Sequence, residues 1–354
     1  MIRWRQGTVL GTLREWPGAL ELDVEVDRQR VVALAYPLLV GRPEPGDAVL
    51  LNTTAIALGL GTGGYALVVA VPGRLPLDPA GPGHLMKARY TPLQAAVLGV
   101  EEPESPHHEA IRAADSLGGL PVVIADLHSA LPAIVAGVLA DRPGTRVSYV
   151  MTDGGALPLW FSRTVATLRD RLCGTVTVGQ TLGGDLEAVT LHTGLLAARH
   201  VQRADVAVVT QGPGNLGTAT PWGFSGVAAG EAVNAVSALG GRPVATLRLS
   251  GDDPRDRHQG VSHHSLTAYG RVALAAADVV VPAGLPAALA ARVASDVVPL
   301  RNRHAIVEVD TTGLYDALRG LPVQLSSMGR GLAQDPSYFL ACAAAGRHAA
   351  GLIS

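Results

Sequence analysis

From Met1 to about Val71 the chain alternates apolar and polar residues in short β-branched runs, such as Leu20–Val26 and Val31–Ala35. Turn clusters separate the runs, and Pro43–Asp47 is followed by the strand-like Ala48–Leu51. Period-two alternation puts every second side chain on one face of a strand, so residues 1–71 are expected to form a small β-barrel or sandwich almost free of helix. Residues 72–92 hold Pro76, Pro79, Gly81, Pro82 and Gly83 and read as an extended connector.

The pattern changes over residues 93–354, where short, nearly continuous apolar runs alternate with stretches of helical spacing. The expected strands are Pro121–Ala125, Arg146–Met151, Thr175–Val178, Asp205–Thr210, Val244–Leu249, Asp278–Val281, His304–Val309 and Pro322–Leu325. Helices are expected near 129–140, 158–172, 186–203, 223–239, 264–277, 285–295, 312–319 and 336–350. Strands apolar on both faces, separated by amphipathic helices, predict an α/β domain with a mostly parallel, Rossmann-like sheet covered on both sides.

In such a sheet ligands bind beyond the carboxyl ends of the strands, and the segments that follow the expected strands are polar. They are Asp126-Leu-His-Ser129, Thr152-Asp-Gly-Gly155, Gln211–Thr220, Ser250–His258 and Ser262-His-His-Ser265. Asp126, His128, Asp153, His258, His263 and His264 are the candidates for acid–base chemistry, because imidazole titrates near neutrality. Asp126, His128, His263 and His264 could also hold a divalent metal, although the spacing fits no established zinc signature. Asp126-x-His128 is similar to the opening of calcineurin-like metallophosphoesterases, but the later elements of that family are missing. The bland alternatives are a hydrogen-bonded core histidine at 128 and a solvated loop over 252–264.

Gly212-Pro-Gly-Asn-Leu-Gly217 matches G-x-G-x-x-G between an expected strand and an expected helix. Backbone amides there could approach an anion, with Gly212, Gly214, Asn215, Gly217, Thr218 and Thr220 as ligand-binding candidates. A dinucleotide fold also wants an acidic residue about 20 positions further on, and Asp252 and Asp253 lie too far along, so NAD is disfavoured. The plain alternative is a tight turn. A second glycine cluster over residues 59–64 precedes no helix and reads as a hairpin or bulge.

Composition narrows the partners. With 16% charged residues, 4% aromatic residues and a net charge of −2, the chain lacks the basic field and stacking groups of a nucleic-acid binder. Lys87 is the only lysine, which disfavours pyridoxal phosphate and other Schiff-base chemistry and the phosphate-loop NTPases. The abundance of Arg beside Ala, Gly and Val reads as codon bias and not as ligand recognition. Cys173 and Cys342 form no disulfide framework, and no apolar run reaches the roughly 18 residues of a membrane span. A cytoplasmic protein without a membrane partner is expected.

Several of these segments together resemble a known family. Met1–Arg5, Leu51–Thr54 with Gly59–Tyr65, Met86–Gln94, Asp126–Ser129, Gly212–Thr220 and Arg257–His264 are similar to the bacterial family called domain of unknown function 3866. The resemblance spans essentially the whole chain. It implies no activity, because none is assigned to that family. The residues themselves point to a hydrolase or transferase acting on a small phosphorylated or otherwise anionic molecule. The alternative is a non-catalytic metabolite-binding or regulatory protein, and homo-oligomerisation is left open.

Overall fold

The alternating first segment closes on itself. In the computed structural model, which describes residues 1–60 and 63–353, five strands form a closed barrel in the order β1-β2-β3-β5-β4. They are β1 (Trp4–Trp16), β2 (Ala19–Val26), β3 (Gln29–Ala35), β4 (Ala48–Asn52) and β5 (Ala66–Ala70). Only β3 and β5 pair in parallel. Leu20, Leu22 and Val24 of β2 meet Ala33, Val49, Leu51 and Val68 in the barrel core, as the period-two pattern requires. Two single-turn helices, Pro37–Val40 and Thr54–Ala57, interrupt the strands. Part of the glycine cluster over residues 59–64 lies outside the described residues.

The barrel unit takes in residues 1–97 and 160–166. It includes a ribbon of β6 (Leu85–Lys87) and β7 (Ala95–Val97), in which Lys87 is fully buried. Trp160 and Phe161 pack with Trp16, Leu34, Tyr36 and Tyr65, and Trp16 Nε1 donates to the Trp160 carbonyl at 2.7 Å. This docking breaks the helix expected over 158–172 into Leu159–Phe161, Arg163–Thr167 and Arg169–Arg171. The aromatic pair is worth more packed in a cluster than continued as a helix in water.

The second unit, residues 98–159 and 167–354, carries the parallel sheet. Its strands are β8 (Pro121–Ile124), β9 (Val147–Thr152), β10 (Gly174–Val178), β11 (Leu186–Ala188), β12 (Val206–Gln211) and β13 (Arg242–Thr246). After a two-stranded ribbon of β14 (Leu249–Ser250) and β15 (Gly260–Val261) come β16 (Asp278–Pro282) and β17 (Ala305–Val309). The order is β11-β10-β9-β12-β8-β13-β16-β17, and every neighbouring pair is parallel. Every residue of β8, β10 and β12 is buried, which accounts for their unbroken apolar runs.

Three further expectations change. Pro322–Leu325 is not a strand: Pro322 and Gln324 are exposed, a proline cannot donate to a ladder, and only the ribbon β18 (Ser326–Ser327) with β19 (Arg330–Gly331) follows. The helix expected from 186 begins as β11, and Thr190 caps the helix proper from Leu191. The strand expected to reach Leu249 ends at Thr246, and Leu249 pairs with Val261 in the separate ribbon.

Strand order decides where a ligand can sit. From β8 the chain moves toward β9, whereas from β12 it crosses to β13 on the other side of β8. Right-handed crossovers therefore put the two following helices on opposite faces. Helix Leu131–Asp141 packs with Pro336–Gly351, while Ala232, Val233 and Val236 of helix Ala228–Ala238 pack on Val122 and Ile124. The ends of β8 and β12 thus flank the topological switch point, where a crevice opens.

The layer formed by Leu131–Asp141 and Pro336–Gly351 rests on backbone contact. A Cβ added at Gly137 would overlap the Ala343 carbonyl, and one at Gly346 the carbonyl of Ile134. Gly137→Ala is expected to lower stability by about 1–3 kcal/mol through overpacking, read as a lower urea midpoint. A neutral result would show that the helices can separate without cost. Among the described residues, no helix is long and apolar enough to cross a membrane.

Candidate functional site

Three chain segments supply the crevice. Asp126 follows β8, Gln211 ends β12 and residues 212–225 follow it, and Arg248 with the histidines follows β13. Ser262 starts the helix His263–Thr267 by accepting from the His264 amide at 3.2 Å, as a serine N-cap does. The helix continues into Tyr269, whose hydroxyl donates to the carbonyls of Ile124 and Thr246 at 3.0 and 3.2 Å. The segment carrying the histidines is thereby tied to the ends of β8 and β13.

The three imidazoles form one cluster. Ring centroids lie 5.1 Å apart for His258 and His263, 5.0 Å for His258 and His264, and 4.4 Å for His263 and His264. Each offers a nitrogen within 4.8 Å of the others. Phe224 stacks on His264 at 3.8 Å with the planes 2° apart. His258 Nδ1 is 2.7 Å from Ser262 Oγ, and Arg248 Nη1 is 3.2 Å from His264 Nδ1.

The loop beneath them is anchored through Asp253, although Asp252, Pro254, Asp256 and Arg257 are exposed. Asp253, 1% exposed, accepts from Arg255 Nε and Nη2 and from Arg330 Nη2, each at 2.8 Å. Arg248 Nη2 lies 4.0 Å away. Ser250 Oγ donates to Asp335 at 2.6 Å and accepts from the Asp253 amide at 2.9 Å.

Burial and these guanidiniums set the charges. Loss of water, then Arg248, draws His258 and His264 down to about 3, and His263 is lowered by desolvation and Arg257. All three rings are therefore uncharged at neutral pH, and the fixed positive charge belongs to arginine. Asp126 moves the other way, to about 6, because burial outweighs the attraction of Arg248.

Asp126 is contiguous with this cluster. Its carbonyl accepts from Gln211 Nε2 at 2.7 Å, which also donates to Asn215 Oδ1 at 2.8 Å. A Cβ at Gly226 would lie 2.9 Å from the Asp126 Cβ, and one at Gly217 would lie 4.0 Å from both Asn215 Nδ2 and His264 Cε1. Buried atoms here lacking a hydrogen-bond partner include Asp126 Oδ2, Gln211 Oε1, Thr246 Oγ1, Arg248 Nη2 and His263 Nε2. More than about nine in ten buried polar groups in native proteins are paired, so this grouping requires an explanation.

Asp126, Asn215, Gly217, His258, His263 and His264 are thus brought together, while the other candidates have partners of their own. His128 is half-buried, with Nδ1 3.0 Å from the Tyr149 hydroxyl and a hydrogen bond with the Gln211 backbone, and loss of water holds it down at about 4. It braces β9 and β12 with Tyr149 and Thr210. Asp153 accepts from the Gln180 amide at 2.9 Å and closes the turn after β10.

The glycine loop does not lead straight into a helix. Residues 217–224 form a small hairpin, closed by the Gly217–Phe224 bridge and by the Thr218 amide donating to the Gly223 carbonyl at 2.8 Å. Thr218 and Thr220 hydroxyls bond each other at 3.0 Å, and helical turns begin only at Ser225. Gly212 packs against the Ala156 backbone. Gly214, at φ 92°, suits the residue without a Cβ. The sequence reading misses Arg248 and Arg330, and it flags Gln211, Asp253 and Arg255 only as members of polar segments. Treating arginine as compositional bias hid Arg248, which falls inside the expected strand Val244–Leu249 but beyond the observed one, which ends at Thr246.

A family model described as "Protein of unknown function (DUF3866)" matches residues 32–346. No curated protein and no solved structure matches the chain.

Proposed function

Because the chain belongs to the DUF3866 family, whose description assigns no activity, its function has to come from its own residues, and we propose that it is an enzyme working on a small anionic molecule in the Asp126–Arg248–His264 crevice. The observation that carries this reading is the grouping, at the switch point, of buried atoms that lack a hydrogen-bond partner. Donors and acceptors left unsatisfied together, Arg248 Nη2 and His263 Nε2 beside Asp126 Oδ2 and Gln211 Oε1, cost stability unless something else meets them.

The charge sign selects the ligand. Arg248 is 5% exposed and projects a guanidinium that cannot lose its proton, which favours a carboxylate or phosphoryl oxygen. The uncharged imidazole of His263 can take a proton from water or a substrate hydroxyl, and Asp126, poised near 6, can give or take one. Proton transfer to and from an anionic substrate is the chemistry of a hydrolase or a transferase. A second reading, a divalent metal held by His258, His263 and His264, has the spacing of their nitrogens in its favour.

The test is a melting-temperature titration with inorganic phosphate and small phosphate and carboxylate esters, run beside a turnover screen. Arg248→Ala is expected to weaken binding of the responding anion about tenfold or more, the worth of one charged hydrogen bond. His263→Ala and His264→Ala are each expected to abolish turnover. Binding without turnover in the wild-type protein would favour the regulatory alternative, and no response to any anion would overturn the reading.

A further inference from the structure

We infer that Arg248 holds His264 in the tautomer with its proton on Nε2, so that the crevice is an oxyanion site lined by donors and not a three-histidine metal centre. The inference rests on the reading above only in taking the crevice to be a ligand site.

The argument begins with the guanidinium. It has five N–H donors, no acceptor, and stays protonated at any pH a folded protein meets. Arg248 Nη1 stands 3.2 Å from His264 Nδ1, and both residues are 5% exposed. Were Nδ1 to carry the ring proton, two donors would face each other where no water can intervene. A buried donor denied an acceptor costs about 1–3 kcal/mol. Nδ1 must therefore be the acceptor, and a neutral ring then has its single proton on Nε2. Phe224, stacked flat on the ring, limits its rotation away from Arg248.

Two consequences follow. First, a metal needs a lone pair, and His264 has none left: Nδ1 accepts from Arg248 and Nε2 is protonated. His258 and His263 alone fall short of the three protein ligands of a usual catalytic zinc site. Asp253 is already engaged by Arg255 and Arg330, and among the described residues no carboxylate shares a ligand-spaced group with His258 and His263. Second, His264 Nε2–H and Arg248 Nη2 are two donors on neighbouring side chains. An uncharged imidazole used as a donor polarises an oxyanion without placing a second full charge in the crevice, as the low-pKa histidine of triosephosphate isomerase does. Arg248 is in this sense both a ligand contact and a positioning residue for His264.

The experiment is nitrogen-detected NMR of the imidazoles in the full chain labelled with ¹⁵N-histidine, with the His264 signals assigned by their absence in His264→Gln. The expected result at neutral pH is an Nε2–H pattern for His264, a shift of that signal on adding inorganic phosphate, and no change with equimolar Zn²⁺. Arg248→Met, in which Asp253 keeps Arg255 and Arg330, is expected to let the Nδ1–H form appear. Arg248→Lys, which still donates, is expected to keep Nε2–H and serves if the methionine variant does not fold. An Nδ1–H pattern in the wild-type protein, or loss of the Nε2 proton on stoichiometric Zn²⁺ binding, would overturn the inference. The tautomer is read without substrate, so a failed turnover screen and a failed tautomer assignment are separate results.

Discussion

Replacing Asp253 with alanine is expected to destabilise the α/β unit by about 3–5 kcal/mol at neutral pH, the cost of stripping one partner from a buried ionic group. Its carboxylate is fully buried and accepts from the Arg255 amide as well as from two guanidiniums. Without it, Arg248 and Arg255 would lose this counter-charge and Arg330 would keep only Asp335, 3.0 Å from its Nε, and Arg248 is almost wholly cut off from water. The sign of the pH dependence follows from its acidity. Hydrogen bonds from Arg255 and Arg330 overcome desolvation and hold Asp253 well below the usual carboxylate range. Stability from such a group is complete above the unfolded value of about 3.9 and is lost as pH falls through the folded one. Urea unfolding should therefore show a constant gap between wild type and variant from pH 5 to 8, closing progressively below pH 4. Asp252→Ala, one residue away and exposed, is expected to stay within about 0.5 kcal/mol of wild type. Equal effects from the two variants would sink the argument.

Asp126→Asn is expected to do the reverse and stabilise the protein by about 3 kcal/mol at pH 8. Burial raises this carboxyl from 3.8 to about 6, and each tenfold change in an ionisation constant is worth about 1.4 kcal/mol. A raised acid favours the protonated folded state, so its ionisation costs nothing below pH 4, costs progressively more up to about pH 6, and a constant amount above. Asparagine keeps the shape and never ionises. The gain should be present at pH 8, shrink through the window from 6 to 4, and vanish below it. If Asp126 is the acid or base of the crevice, the same variant should lose turnover while it gains stability, the trade-off of a functional group held at a cost. A destabilised variant at pH 8, or a gain independent of pH, would show that the charge of Asp126 is not strained where it sits.

The fold was largely legible because its cause is local. Pro121–Ile124 and Val206–Gln211 are buried on both faces and read as unbroken apolar strands, and the alternation of Leu20–Val26 reads as one wall of a barrel. Errors arose where distant contacts outweighed periodicity. Leu186–Ala188 joined β10 as an edge strand, and Trp160 and Phe161 left their helix for an aromatic cluster. Pro322–Leu325 looked like a strand but found no place in the sheet.

By itself, the sequence determined that polar segments follow parallel strands and so gather at one edge of the sheet, which is why Asp126, Asn215, Gly217 and the three clustered histidines were within reach of a reading from residues alone. Only the tertiary structure decided which of them share a crevice. Strand order, set by pairing between segments far apart in the chain, put β12 and β13 on either side of β8. It turned His128 toward Tyr149 and Asp153 toward the Gln180 amide. It also set Arg248 against His264, sixteen residues away. No local pattern encodes a side chain's neighbours across strands, and those neighbours fix the protonation and hydrogen bonding on which chemistry depends.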